Sequence, residues 1–237
     1  MIRPFFITLV AALISSSVNA TENTAPPLKI AIDVGHSLKR PGSTSASGIA
    51  EFTFNRALAL RLTPKLQALG MQPLLIGDRG DMDVLQQRTK LAQNQQLFIS
   101  LHHDSIQPHY LPQAEKFSGY SLFVSRKNPQ PAVSLSCARE VAKQLQAAGL
   151  HHTAHHAEPI KGENRPWADQ TLGIYWFDDL LVLKTANQPA LLIESGIIVN
   201  PQDEKFLGSN KGRDILSTAI AAGLGQCAPL IQAKPRK

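Results

Sequence analysis

Lys29-Ile30-Ala31-Ile32-Asp33-Val34-Gly35-His36 decides the fold. Six mostly apolar, β-branched residues read as a buried strand, and Gly35 punctuates its end. A Ser/Gly-rich loop follows from Ser37 to Gly48. From Glu51 to Leu69 the apolar residues Phe54, Leu58, Leu62, Leu66 and Leu69 return at helical spacing, and Gly70 stops the helix. Pro64 inside it predicts a kink or a split.

The same alternation runs outward from this unit. Gln72 to Ile76, Leu97 to Leu101, Gly119 to Ser125 and Ala190 to Ile193 read as further strands. Asp83 to Asn94, Ala132 to Ala148 and Lys211 to Leu224 read as helices, and Tyr175 to Leu183 as an apolar, helix-compatible run. Residues 150–170 read as irregular and polar. Strands alternating with helices predict a single α/β domain, its twisted, largely parallel or mixed sheet flanked by helices. Such sheets gather their active sites at the carboxyl ends of the strands. His36, His102 and Glu194 occupy that position, and Glu51 opens the first helix.

The ends of the chain bound its destination. Arg3, the apolar run Phe5 to Ile14 and Val18-Asn19-Ala20 fit a secretory signal over residues 1–20, with a mature start at Thr21. Residues 21–28 read as a leader, 29–228 as the domain and 229–237 as a basic tail. No later run approaches the ~20 apolar residues of a membrane span, so no transmembrane segment is expected in the mature chain. Export to the periplasm is expected for so compact and unadorned a domain. The formal charge of +6 falls to +5 once Arg3 leaves with the signal. That excess suits an acidic polymer or serves solubility alone. Without a basic stripe interleaved with aromatics, nucleic acid is not the expected partner.

Cys137 and Cys227 are the only cysteines. Export permits them to pair, and both lie in helix-like stretches. Without CxxC spacing they do not form a thiolate zinc site. A metal must therefore use histidine and carboxylate, and two histidines with one glutamate are a donor set of catalytic zinc. Taken alone, His36 reads equally as a turn histidine or a ligand. Glu51 alone reads better as a first-turn acid favoured by the helix dipole. His102 and His103 exclude one another, because consecutive strand residues face opposite ways. Glu194 stands in an apolar run, where a carboxylate without a role is rare. Asp33 and Asp104 read equally as groups orienting ligand histidines and as turn caps.

Taken together, these blocks resemble the zinc-dependent N-acetylmuramoyl-L-alanine amidases. The resemblance is carried by Ile30-Ala-Ile-Asp-Val-Gly-His36, by Gly48-Ile-Ala-Glu51 with Asn55, and by Phe98-Ile-Ser-Leu-His102. Pro189-Ala-Leu-Leu-Ile-Glu194-Ser-Gly with Asn200 completes it, and Asp78-Arg79-Gly-Asp81 and Leu85 with Arg88 lie between in the family's order. The match runs from about Lys29 to Leu224. It implies a Zn2+ ion bound by His36, Glu51 and His102, with Glu194 as acid/base, and so selects His102 over His103. It implies peptidoglycan as substrate, cut between N-acetylmuramic acid and L-alanine. Val34, Ser37 and Phe52 stand where the family usually has proline, glycine and lysine.

Some members of that family carry a helix that blocks the zinc until an activator protein displaces it. His151-His-Thr-Ala-His-His156 with Glu158 reads first as a polar surface loop. Its alternatives are such a gate, or a second, weak metal site built from His151 and His155 on one helix face. Two rival functions remain at this point. One is a non-catalytic wall-binding or regulatory protein. The other is a secreted zinc peptidase, which the absence of HExxH disfavours.

Overall fold

The computed structural model describes residues 26–233. The expected signal and most of the leader lie outside the described residues, as do 234–237. The strands are β1 (Lys29–Val34), β2 (Gln72–Ile76), β3 (Leu97–Asp104), β4 (Ser121–Val124), β5 (Trp167–Asp169), β6 (Ile174–Trp176) and β7 (Ala190–Ile197). The helices are α1 (Glu51–Ala68), α2 (Leu85–Leu91), α3 (Pro131–Ala147), α4 (Leu181–Thr185), α5 (Pro201–Gly208) and α6 (Asn210–Gln232). One mixed sheet runs β2-β1-β3-β7-β4-β6-β5. Strands β2, β1, β3 and β7 are parallel, β4 turns antiparallel to β7, and β5 is antiparallel to β6.

Period two sorts the core onto two faces. Ile30, Ile32, Leu97, Ile99, Leu101, Leu191 and Ile193 pack with α1, α3 and α6. The alternate residues Ala31, Phe98, Ala190 and Leu192 pack on the other face with Val182 and Leu183 of α4. His102 and Glu194 continue the parity of Phe98 and Leu192, and they are register partners on adjacent strands. His103 takes the opposite parity and is buried against Phe54 of α1. The two histidines are thus separated by the strand pleat.

Several elements depart from expectation. Helix α1 continues through Pro64 without a split. The carbonyl that Pro64 leaves unpaired belongs to Leu60, which is exposed to water, and the Thr63 hydroxyl donates to the Ala59 carbonyl at 2.9 Å. Strands β3 and β7 run past their expected ends, so His102 and Glu194 lie within strands rather than after them. The first part of Tyr175 to Leu183 belongs to β6, because Trp167 and Tyr175 stack and pair across β5 and β6. Residues 150–170 are irregular apart from β5, short 3-10 turns and an isolated bridge from His152 to Tyr120. Helix α5 is an addition, capped by the Asn200 side chain, and α6 continues to Gln232 through the first residues of the expected tail.

Helix α6 is, by length and composition, apolar enough to cross a membrane, which corrects the expectation that no later segment is. Here Leu216, Ile220 and Leu224 pack into the core against α1 and α3. Cys137 of α3 and Cys227 of α6 form a disulfide spanning 90 residues of sequence. Cross-linking a loop of that length stabilises a fold by about 2–4 kcal/mol, chiefly by restricting the unfolded chain. Urea unfolding of Cys137→Ala/Cys227→Ala is expected to show a loss of about that size. Reductant should lower wild type to the same level and leave the variant unmoved.

Candidate metal centre and active site

Three of the four singled-out side chains meet at the carboxyl edge of the sheet. Glu51, at the start of α1, is almost fully buried. One of its oxygens lies 3.0 Å from His36 Nε2 and accepts from the Ser43 backbone N–H at 3.1 Å. The other lies 3.0 Å from His102 Nδ1 and accepts from Asn55 Nδ2 at 3.2 Å and the His103 backbone N–H at 3.3 Å. One donor atom from each of His36, Glu51 and His102 falls within 4.8 Å of the others. Burial by itself would raise the Glu51 pKa. The hydrogen bonds and positive charge of His102 and His36 outweigh it and hold the carboxyl well below the usual range. The helix N-terminus favours the same anion.

The backbone makes room for this cluster. A Cβ on Gly35 would overlap the His102 ring, and one on Gly42 would overlap the Glu51 carboxylate and the His36 ring. His36 itself sits at φ 69°, a left-handed conformation rare outside glycine. Arg88 holds it there. This fully buried guanidinium pairs with Asp33 at 2.7 Å and donates to the carbonyls of Val34, His36 and Met82. Asp33 therefore neither orients a ligand histidine nor caps a turn, as had been expected. It neutralises Arg88 and accepts from Ser100 Oγ at 2.7 Å.

Asn55 is the second residue that sequence reasoning left without a role. It donates to the Gly35 carbonyl and to Glu51, and its Oδ1 lies 2.7 Å from His103 Nδ1. Its signal was its place one helical turn after Glu51. His103 is a buried, hydrogen-bonded packing residue. Burial pushes its pKa down to about 3, so the ring is neutral.

Glu194 stands apart from the triad. Its Oε2 is buried and has no hydrogen-bond partner among the described residues. Burial first, then the like charges of Asp104 and Glu51, raise its pKa well above the ordinary value. His102 divides two cavities. One, of 310 Å³, is lined by His36, Ser37, Arg40 and apolar side chains. The other, of 270 Å³, holds Glu194, His156, Glu163 and Arg165. Leu180 and Leu192 border both, so the two halves form a cleft along the edge.

The segment carrying the histidine run forms a wall of the Glu194 cavity. It offers no helix face shared by His151 and His155. Instead His155 and His156, in a 3-10 turn, both approach Asp104. Asp104 thus serves these residues rather than His102. Burial alone would lower the His156 pKa, but Asp104 and Glu163 override it and raise it to about 9.

A family model described as N-acetylmuramoyl-L-alanine amidase matches residues 30–226. The chain belongs to that family, and it is a hydrolase. Among its relatives is the N-acetylmuramoyl-L-alanine amidase Rv3717 of Mycobacterium tuberculosis. The two are 27% identical over 91% of this chain and 93% of that protein. The N-acetylmuramoyl-L-alanine amidase from Clostridium difficile 630 superposes with a TM-score of 0.70 at 20% identity, over 89% of this chain and all of that one. Ami1 from Mycobacterium abscessus, in its apo form, gives 0.70 at 22% identity, over 86% of this chain and 100% of that one. These likenesses establish the fold, the mixed seven-stranded sheet with its flanking helices.

Gly35→Ala is expected to fold, because its φ is not in the left-handed region, yet to displace His102. Equilibrium dialysis should show divalent-metal affinity at this triad falling by at least about tenfold, with the far-ultraviolet circular dichroism unchanged. Wild-type affinity in this variant would show that the close approach of Gly35 to His102 is not needed.

Proposed function

We propose that the chain is a zinc-dependent amidase of the cell envelope that cleaves peptidoglycan between the lactyl group of N-acetylmuramic acid and L-alanine. The observation that carries this reading is the contrast between two carboxylates at one sheet edge. Glu51 is held ionised among two imidazoles, whereas Glu194 has a buried Oε2 with no hydrogen-bond partner among the described residues and is drawn toward its protonated form.

The donor set fits Zn2+. Two imidazoles and one carboxylate are a donor set of catalytic zinc, and the His36 side chain remains partly exposed. His36, Glu51 and His102 would hold Zn2+, which would supply Lewis acidity toward the scissile carbonyl and toward water. A cation at the triad would offset the like charges of Asp104 and Glu51 and favour ionised Glu194, which then takes a proton from the attacking water and delivers it to the leaving amine nitrogen. An amide needs that second transfer, because an unprotonated amine leaves poorly. Asn55 and the Ser43 backbone orient Glu51 by their hydrogen bonds, and Arg88 fixes the loop bearing His36. The cleft on either side of His102 receives the glycan and the stem peptide. The basic balance of the chain suits carboxylate-bearing wall polymers. Export through the signal at residues 1–20 would bring the enzyme to the periplasm, where its substrate lies.

Digestion of purified sacculi by the mature chain, followed by mass spectrometry, is expected to show free stem peptides beginning with L-alanine. Intact muramyl–alanine bonds with the triad fully loaded would overturn the reading. Glu194→Gln should keep its metal and lose about 10²- to 10⁴-fold in rate. His36→Ala should lose both metal and activity. Loss of metal from Glu194→Gln would instead make Glu194 a ligand.

A further inference from the structure

We propose that Asp104, His155 and His156 form a second divalent transition-metal site, which pins the 155–165 segment to the sheet beside the catalytic cleft. This site is independent of the one built on Glu51.

As at the first triad, two imidazoles converge on one carboxylate, here on a single oxygen. The Nε2 atoms of His156 and His155 lie 2.7 and 3.5 Å from the same Asp104 oxygen, Oδ2. The three donor atoms fall within 4.8 Å of one another. Each imidazole is anchored at its far nitrogen by an oxygen. Thr153 Oγ1 lies 2.9 Å from His155 Nδ1, and Glu163 Oε2 lies 2.8 Å from His156 Nδ1. Gln107 holds the other Glu163 oxygen at 2.8 Å, and the Ser105 backbone N–H holds the other Asp104 oxygen at 2.8 Å. An imidazole tethered through one nitrogen, with the other aimed at a shared point, is the usual environment of a metal-ligating histidine.

One atom separates this reading from a plain ion pair. An imidazolium of His156 between Asp104 and Glu163 would account for both His156 nitrogens. It does not account for His155, whose side chain is 4% exposed and whose Nε2 has no hydrogen-bond partner among the described residues. A buried ring nitrogen left without a partner is destabilising. A cation between the two rings and Asp104 removes that cost. Two imidazoles and one carboxylate select zinc-like ions over calcium or magnesium, which prefer oxygen donors.

The location gives the site a consequence. Asp104 lies on β3, two residues beyond His102, and His156 and Glu163 line the cavity that holds Glu194. A metal here cross-links that cavity wall to the strand bearing a ligand of the first site.

The test is zinc stoichiometry of the chelator-stripped, refilled mature chain, measured by inductively coupled plasma mass spectrometry. Wild type should bind two equivalents. His36→Ala/His102→Ala should keep one, and His155→Gln/His156→Gln should keep one. Wild type saturating at one, with none in the His36→Ala/His102→Ala variant, would overturn the proposal. Anomalous scattering from zinc-loaded wild-type crystals needs no variant. A peak beside Asp104 supports the site, and a peak beside Glu51 alone refutes it. Failure of the amidase reading would leave both metal counts unchanged, so the two ideas fail separately.

Discussion

The buried pair of Asp33 and Arg88 is the constraint on which the catalytic edge depends. A guanidinium with almost no exposure cannot stand uncompensated, and Asp33 on the neighbouring strand supplies the opposite charge at 2.7 Å. Its two Nη groups also donate to backbone carbonyls on either side of the loop, while Nε has no partner among the described residues. Val34 and His36 are tied to Met82 through one side chain. That tie offsets the cost of a left-handed histidine, about 1–3 kcal/mol. The end of β1, the start of α2 and the strand β3 beneath Ser100 are thereby joined at one point. Removing one partner would leave the other charged and buried, which is why the pair fixes geometry even where it adds little net stability.

From that fixed loop the rest of the triad follows by sheet arithmetic. His102 lies on the face shared with Phe98, and Glu194 on the face shared with Leu192, one strand over. Glu51 reaches the same edge from the opposite side because α1 begins there, packed against β1 and β3. Glycine at 35 and 42 lets three polar side chains occupy the space a Cβ would take. The assembly is a local compromise between backbone strain, close packing and charge, and each of its members is held by at least one other.

Much of this was legible because it is periodic or local. The apolar runs of β1, β3 and β7 declared a buried sheet, and Glu194 stood out as a carboxylate within one. The parity that separates His102 from His103 was present in the sequence too, in the alternation Phe98, Ser100, His102 against Leu97, Ile99, Leu101. Ranking the two needed to know which face carried which helices, and that is a long-range fact. The same is true of Asp33, whose partner lies 55 residues away, and of Asp104, whose partners come from the 155–156 turn. Strands of three residues such as β5 and β6 carry too few residues for a period to register. Helix α6 runs past Leu224 and through Pro229 to Gln232.

Glu51 and Glu194 make the chemical point most clearly, since the same side chain acquires opposite character within one cleft. Glu51 has five hydrogen-bonding or ion-pair neighbours and a helix terminus behind it, so its charge is stabilised despite burial. Glu194 is also in a poorly solvated position, but its Oε2 has no hydrogen-bond partner among the described residues, and Asp104 and Glu51 raise its pKa further. Burial alone therefore does not set the role of a carboxylate. What decides it is whether the surrounding donors were aimed at it when the chain folded, and here the donors converge on Glu51. An acid left without them is free to exchange its proton with whatever enters the cleft, the freedom that the proposed acid/base role of Glu194 requires.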